Sequence, residues 1–91
     1  MKENESRERC FQNALAMLTI FNQWLPKRHA GLRVYEYSIE LSLYFHKDEK
    51  ELLDAVVDQL EPLKLEWADY SENYIEECEY YIARYTWELD D

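Results

Sequence analysis

The sequence contains few of the residues that interrupt or crosslink a chain. It has one glycine, two prolines and two cysteines in 91 residues, while 47% of the residues are hydrophobic and 15% are aromatic. This composition excludes collagen, a flexible linker and a disordered acidic tail, because such a tail would lack the aromatic residues needed to pack a core. A chain of this length has room for one core, so residues 1–91 are predicted to form a single domain.

Long apolar runs are also missing. No stretch approaches the ~20 apolar residues that cross a bilayer, and residues 1–18 carry charges of both signs where a signal peptide would be apolar. We therefore expect a cytoplasmic protein with no membrane partner. In that compartment Cys10 and Cys78 are expected to be reduced thiols, with a disulfide between them as the minor alternative.

Basic residues are scarce toward the end of the chain. The net charge is −10, and residues 61–91 contain ten acidic and two basic residues, a net charge of −8. This negative charge repels nucleic-acid phosphates and anionic lipids, and it attracts basic protein surfaces. Direct binding to nucleic acid or to a membrane surface is therefore disfavoured.

Sequence motifs for catalysis and metal binding are absent. The chain has no glycine-rich phosphate loop, no nucleophile elbow and no Cys–His family signature. The pair His46 and Asp48 is better explained as a polar loop before a helix than as a metal site. Glu36 and Glu40 would lie about 13 Å apart on one strand face, beyond the roughly 5–9.5 Å of glycosidase carboxylates. We expect a non-enzymatic protein without metal or cofactor.

Two segments have the periodicity of amphipathic helices. Apolar residues recur at three- and four-residue steps before Pro26 and again before Pro62. The pattern predicts helices at 5–25 and 48–61, the second with Asp48 as its N-cap.

Between these helices, residues 35–45 alternate between apolar and polar side chains, which predicts one half-buried strand at 33–45. The C-terminal third fits both strand and helix periodicity. Because the strand needs hydrogen-bonding partners, we predict two further strands there with a turn at 69–73. The expected fold is α+β, in the order α-β-α-β-β, with two helices on one face of a three-stranded, largely antiparallel sheet. The alternative is a long amphipathic helix over residues 63–89.

The segment from residue 70 to 91 combines tyrosines with carboxylates. We expect Tyr81, Tyr85, Trp87 and Leu89 to lie in the core. The remaining acids and tyrosines suit a protein interface, because carboxylates steer a basic partner and tyrosine rings supply buried contact area. The predicted protein-binding residues are Asp69, Tyr70, Glu72, Tyr74, Glu76, Glu77, Glu79 and Tyr80.

Two functions agree with this pattern. The first is an inhibitor that occupies a basic, nucleic-acid-binding surface of another protein, such as a nucleic-acid-handling enzyme. In size, charge and aromatic content the chain resembles anti-CRISPR and anti-restriction proteins, glycosylase inhibitors and nuclease immunity proteins, although it contains no motif of theirs. The alternative is a non-enzymatic assembly or regulatory module, or a homodimer, that pairs through a sheet edge or an aromatic face.

Overall fold

The structure, a computed structural model, describes residues 2–89 and the side chains of residues 7–89. Within these residues it has two α-helices and one four-stranded antiparallel sheet. The elements follow one another as α1 (Lys2–Trp24), β1 (Ala30–Val34), β2 (Ser38–His46), α2 (Lys50–Leu60), β3 (Asp69–Ile75) and β4 (Tyr80–Glu88). The strand order across the sheet is β1-β2-β4-β3, so two αββ halves meet where β2 pairs with β4.

Both helices lie where their periodicity predicts them. The helix predicted at 5–25 corresponds to α1, and the helix predicted at 48–61 corresponds to α2 with a 3-10 turn at each end. The cap of this second segment is His46 and not Asp48. The His46 ring accepts a hydrogen bond from the backbone N–H of Asp48, and the Glu49 carboxylate accepts one from the backbone N–H of His46.

The α+β class is confirmed, but the expected three-stranded α-β-α-β-β arrangement is wrong. The single strand predicted at 33–45 is a hairpin of β1 and β2 with a turn at 35–37. This turn lacks the Asn-Gly or glycine signal of a tight hairpin. Arg7 of α1 holds it instead, because its guanidinium donates hydrogen bonds to the backbone oxygens of Tyr35 and Glu36. The apolar–polar alternation continues through the turn and so conceals the reversal of the chain.

The C-terminal third is a hairpin, and the alternative of a long helix over 63–89 is wrong. The turn predicted at 69–73 is also misplaced, since those residues begin β3 and the chain reverses at 76–79. In this turn the backbone N–H of Glu79 donates to the oxygen of Ile75 over 2.8 Å. Glu79 has a φ of 59°, a left-handed conformation that glycine or asparagine usually adopts in turns. Residues 76–79 contain neither glycine nor asparagine, so the sequence does not signal the turn there.

The core lies between the helices and one face of the sheet. Inward residues of β2 and β4 stand directly opposite one another, as in the pairs Ile39–Trp87 and Leu41–Tyr85. The fully buried residues are Ile39, Leu41, Leu43, Phe45, Ala83, Tyr85 and Trp87 of the sheet, with Cys10, Ala14, Met17, Phe21, Leu53 and Leu60 of the helices. Tyr81 and Leu89 are partly buried against this core, so all four residues expected in the core contribute to it.

Asn13 of α1 joins three parts of the chain through its side-chain amide. Its Oδ1 accepts hydrogen bonds from the Trp87 indole N–H over 2.9 Å and from the backbone N–H of Leu65 over 3.0 Å. Its Nδ2 donates to the backbone oxygen of Leu63 over 2.8 Å. The amide therefore ties α1 to β4 and to the segment between α2 and β3.

Substitution Asn13→Ala should lower the free energy of unfolding by about 2–4 kcal/mol, because three hydrogen bonds are lost and the buried indole N–H keeps no partner. Urea unfolding followed by tryptophan fluorescence measures this change. Gln12→Ala, at the exposed neighbouring position, is the control and should change stability by less than about 0.5 kcal/mol. Equal effects of the two substitutions would show that the amide contributes nothing.

The hydroxyl of Tyr85 is buried and has no hydrogen-bond partner among residues 7–89. Burial raises the pKa of Tyr85 above its ordinary range. Tyr85→Phe should therefore raise the unfolding free energy by about 1 kcal/mol, since a buried unpaired hydroxyl costs about 1–3 kcal/mol. Tyr70→Phe is the control, because it removes a hydroxyl that does have a partner, Glu72, and should lower stability. A loss of stability in Tyr85→Phe, measured by urea unfolding, would contradict the expectation.

Candidate protein-binding surface

The structure divides the eight predicted binding residues among three places. Three lie on the helix side of β3, three in the turn after it, and two on the helix-free face of the sheet. In that order they are Tyr70, Glu72 and Tyr74; Glu76, Glu77 and Glu79; and Asp69 and Tyr80.

The residues on the helix side of β3 contact their own chain. The ring of Tyr70 lies 5.0 Å from that of Tyr85, and its hydroxyl donates to the Glu72 carboxylate over 2.9 Å. Burial is the main cause that raises the pKa of Tyr70, and the hydrogen bond to Glu72 raises it further. Glu72 also forms an ion pair with Lys50 of α2 at 3.3 Å. Tyr70 and Glu72 therefore join β3 to the core and to α2, which leaves them less available to a partner than their sequence pattern indicates.

The turn at 76–79 presents free carboxylates at one end of the sheet. Glu79 forms an ion pair with Lys47 at 3.2 Å, and its backbone oxygen accepts the N–H of Lys47. Glu76 and Glu77 are exposed and form no ion pair with the side chains of residues 7–89. Exposed Cys78 lies between Glu77 and Glu79 as a free thiol.

The charge of the molecule is separated across the sheet. Residues 48–79, from the turn before α2 to the turn after β3, contain twelve acidic and two basic residues, a net charge of −10. The rest of the chain contains eight acidic and eight basic residues. Because α1 packs on β1 and β2 while α2 packs on β2 and β4, next to β3, the acidic elements share one side of the fold. We call this side the acidic flank.

The acidic flank includes a row of carboxylates that the sequence-based prediction missed. Four exposed acids follow α2 at three- and four-residue steps, which places neighbours about 5–6 Å apart on one helix face. They are Glu51, Asp54, Asp58 and Glu61. Their spacing was visible in the sequence, but the higher density of acids after residue 61 drew the prediction to the C-terminal segment.

A hollow lies on the helix-free face, at the same end of the sheet as the turn at 76–79. Its volume is about 180 Å³, and it is lined by His29, Tyr44 and Tyr80. The His29 and Tyr44 rings meet edge to face at 5.8 Å, and so do those of His46 and Tyr80. The β1–β2 hairpin brings His29 to Tyr44, and the pairing of β2 with β4 adds Tyr80, so no local sequence pattern indicates the hollow.

Comparison with protein-family models, with curated proteins and with solved structures gives no match. Within the described chain, neither helix has the length and apolarity needed to cross a membrane. No group of three or more metal-ligating side chains occurs in that part of the chain either. The function is therefore inferred from the charge and geometry described above.

Glu49, near the end of the sheet that carries the hollow, makes the stability of the fold depend on pH. Its carboxylate pairs with Arg28 and accepts the backbone N–H of His46, and these two hydrogen bonds hold its pKa below the ordinary value of 4.5. Because the pKa of Glu49 is lower in the folded state than in the unfolded state, its ionised carboxylate stabilises the fold at pH values above the ordinary pKa. This stabilisation is lost as the pH falls through the lowered pKa.

The free energy of unfolding of Glu49→Gln should therefore lie below that of the natural chain at neutral pH and converge with it in acid. Urea unfolding over a pH series measures the difference. Glu51→Gln, which removes an exposed carboxylate of α2 with no ion pair to residues 7–89, should show little difference throughout. A deficit in Glu49→Gln that stayed constant down to acid pH would mean that charge does not explain it.

Proposed function

We propose that this protein is an acidic, non-enzymatic inhibitor that occupies a basic, nucleic-acid-binding surface of another protein in the cytoplasm. The observation that supports this function is the acidic flank, which holds a net charge equal to that of the whole chain. Concentrated charge of one sign costs folding stability through self-repulsion, and solubility alone does not require it to lie on one side. A basic partner would recover that cost on binding.

The geometry of the acidic flank suits this partner. The α2 carboxylates are exposed and evenly spaced, so they can meet successive arginine and lysine side chains that otherwise contact phosphates. Asp54 and Glu61 would exchange their surface pairs with Lys50 and Lys64 for such contacts. Tyr74, with 42% of its surface exposed, lies beside them on β3 and offers an aromatic contact. The acidic flank therefore provides carboxylates that attract a basic partner and an aromatic ring that can be buried in the contact.

The alternative is a homodimer or an assembly module that pairs through a sheet edge or an aromatic face. The sheet has two edges, β1 and β3, and the charge on β3 disfavours its pairing with its own copy. Strand β3 is an edge of the sheet and has seven residues, with Glu72 in the middle. An antiparallel pair of two such strands centred on this residue would place Glu72 opposite its own copy. Like charges directly opposite each other destabilise a strand pair.

Affinity capture from lysate with elution in a salt gradient tests the proposed function. Three baits are compared: the natural chain and two variants that each lack four negative charges. The flank variant carries Asp58→Asn, Asp69→Asn, Glu76→Gln and Glu77→Gln. The control variant carries Glu8→Gln, Glu36→Gln, Glu40→Gln and Glu88→Gln. None of the eight carboxylates pairs with a lysine or arginine of residues 7–89, so both variants should fold.

The natural chain and the control variant should retain a nucleic-acid-handling enzyme and release it at moderate salt. The purified protein should also compete with nucleic acid for that enzyme. The flank variant should bind it on the order of tenfold or more weakly, since charge pairs contribute chiefly to steering and salt dependence. A partner that all three baits retain equally, and that salt does not release, would contradict the inhibitor and support the assembly module.

A further inference from the structure

The hollow beside the turn at 76–79 has the features of a site for a single side chain. Its three lining rings come from three separate parts of the chain, and Tyr80 directly follows the turn. His29, Tyr44 and Tyr80 make no side-chain hydrogen bond with any other residue from 7 to 89. Their polar atoms are therefore unpaired among those residues, and the Tyr80 side chain, with 42% of its surface exposed, is open to a ligand.

The size of the hollow decides what kind of ligand fits. Sites for small molecules and cofactors usually have volumes of about 300–1,000 Å³. At about 180 Å³ and open to solvent, this hollow is too small for such a ligand. An amino-acid side chain projecting from a partner surface is the better match.

The charges around the hollow decide which side chain fits. Arg28 and Lys47, next in sequence to His29 and His46, are paired with Glu49 and Glu79, while Arg33 and Arg84 on the same face of the sheet donate hydrogen bonds to the Tyr35 hydroxyl and to Ser42. The unpaired carboxylates of the neighbouring turn favour a cation. Aromatic faces also attract cations, and the planar guanidinium of arginine stacks on rings better than the ammonium of lysine does.

We propose that the hollow formed by His29, Tyr44 and Tyr80 binds an arginine side chain of the basic partner, with the Glu76 and Glu77 carboxylates adding electrostatic attraction. This inference rests on the proposed function, because it assigns a specific contact to the partner that the acidic flank attracts. The proposed site combines three residues predicted from the sequence, Tyr80, Glu76 and Glu77, with two that were not, His29 and Tyr44.

An NMR titration with short synthetic peptides tests the inference. One peptide contains arginines separated by glycines, and the second has citrulline, which is planar and neutral, at the same positions. The arginine peptide should shift the ring protons of Tyr44, Tyr80 and His29, while the citrulline peptide should not. Tyr44→Leu and Tyr80→Leu should each weaken binding of the arginine peptide about 2- to 30-fold, the range of a cation–π contact.

Two further variants separate loss of the contact from loss of the fold. Tyr44→Phe keeps the ring face and should bind the arginine peptide as the natural chain does. Tyr37→Leu removes an exposed tyrosine at the opposite end of β2 and should also leave binding unchanged. Circular dichroism confirms that each variant is folded before the titration.

The outcomes distinguish this inference from the proposed function. Binding that shifts only the acidic flank, with Tyr44→Leu and Tyr80→Leu as tight as the natural chain, would overturn the arginine site and leave the inhibitor intact. Equal shifts of the hollow with both peptides would also overturn it, because charge would then play no part. No binding of the arginine peptide at low salt would overturn the arginine site and the proposed attraction to a basic surface together.

Discussion

The pairing of β2 with β4 is the constraint on which the rest of the molecule depends. Each half of the chain supplies one helix and one hairpin, and a two-stranded hairpin is marginally stable on its own. The two halves are joined along nine residue pairs, with Ile39 opposite Trp87 and Leu41 opposite Tyr85 on the inner face. Both helices cover this central pair of strands. The centre of the hydrophobic core is therefore built from strand pairs whose members lie 36 to 48 positions apart in the sequence.

The same pairing determines the electrostatics. Because β2 and β4 occupy the centre, α1 and β1 lie toward one edge of the sheet, and α2 and β3 lie toward the other. An excess of acids between residues 48 and 79 thus becomes one acidic side of a folded molecule. Lys47 and Lys50 offset part of the repulsion by pairing with Glu79 and Glu72. Asp54 and Glu61 pair in the same way with Lys50 and Lys64. The exposed carboxylates that have no lysine or arginine partner among residues 7–89, such as Asp58, Glu76 and Glu77, supply the charge on which the proposed function rests.

Much of the fold could be predicted, and each error has a physical cause. The positions of α1 and α2 were predicted correctly because apolar residues at helical spacing indicate each helix and a proline marks its end. Strand β1 was missed because the turn that separates it from β2 is held by Arg7 of a distant helix and has no glycine. Among the site residues, the exposure of Glu76 and Glu77 followed from local sequence. The packing of Tyr70 against Tyr85 did not, since it depends on strand register.

The sequence by itself determined the helices, the inward face of β2 and the large negative charge, because periodicity and composition are local properties of a chain. Only the tertiary structure decided the fourth strand, the side on which the acids gather and the hollow between His29, Tyr44 and Tyr80. These features arise from contacts between residues far apart in the chain. A contact of that kind leaves no periodic signal, because the energy that fixes it comes from burial and hydrogen bonding across elements.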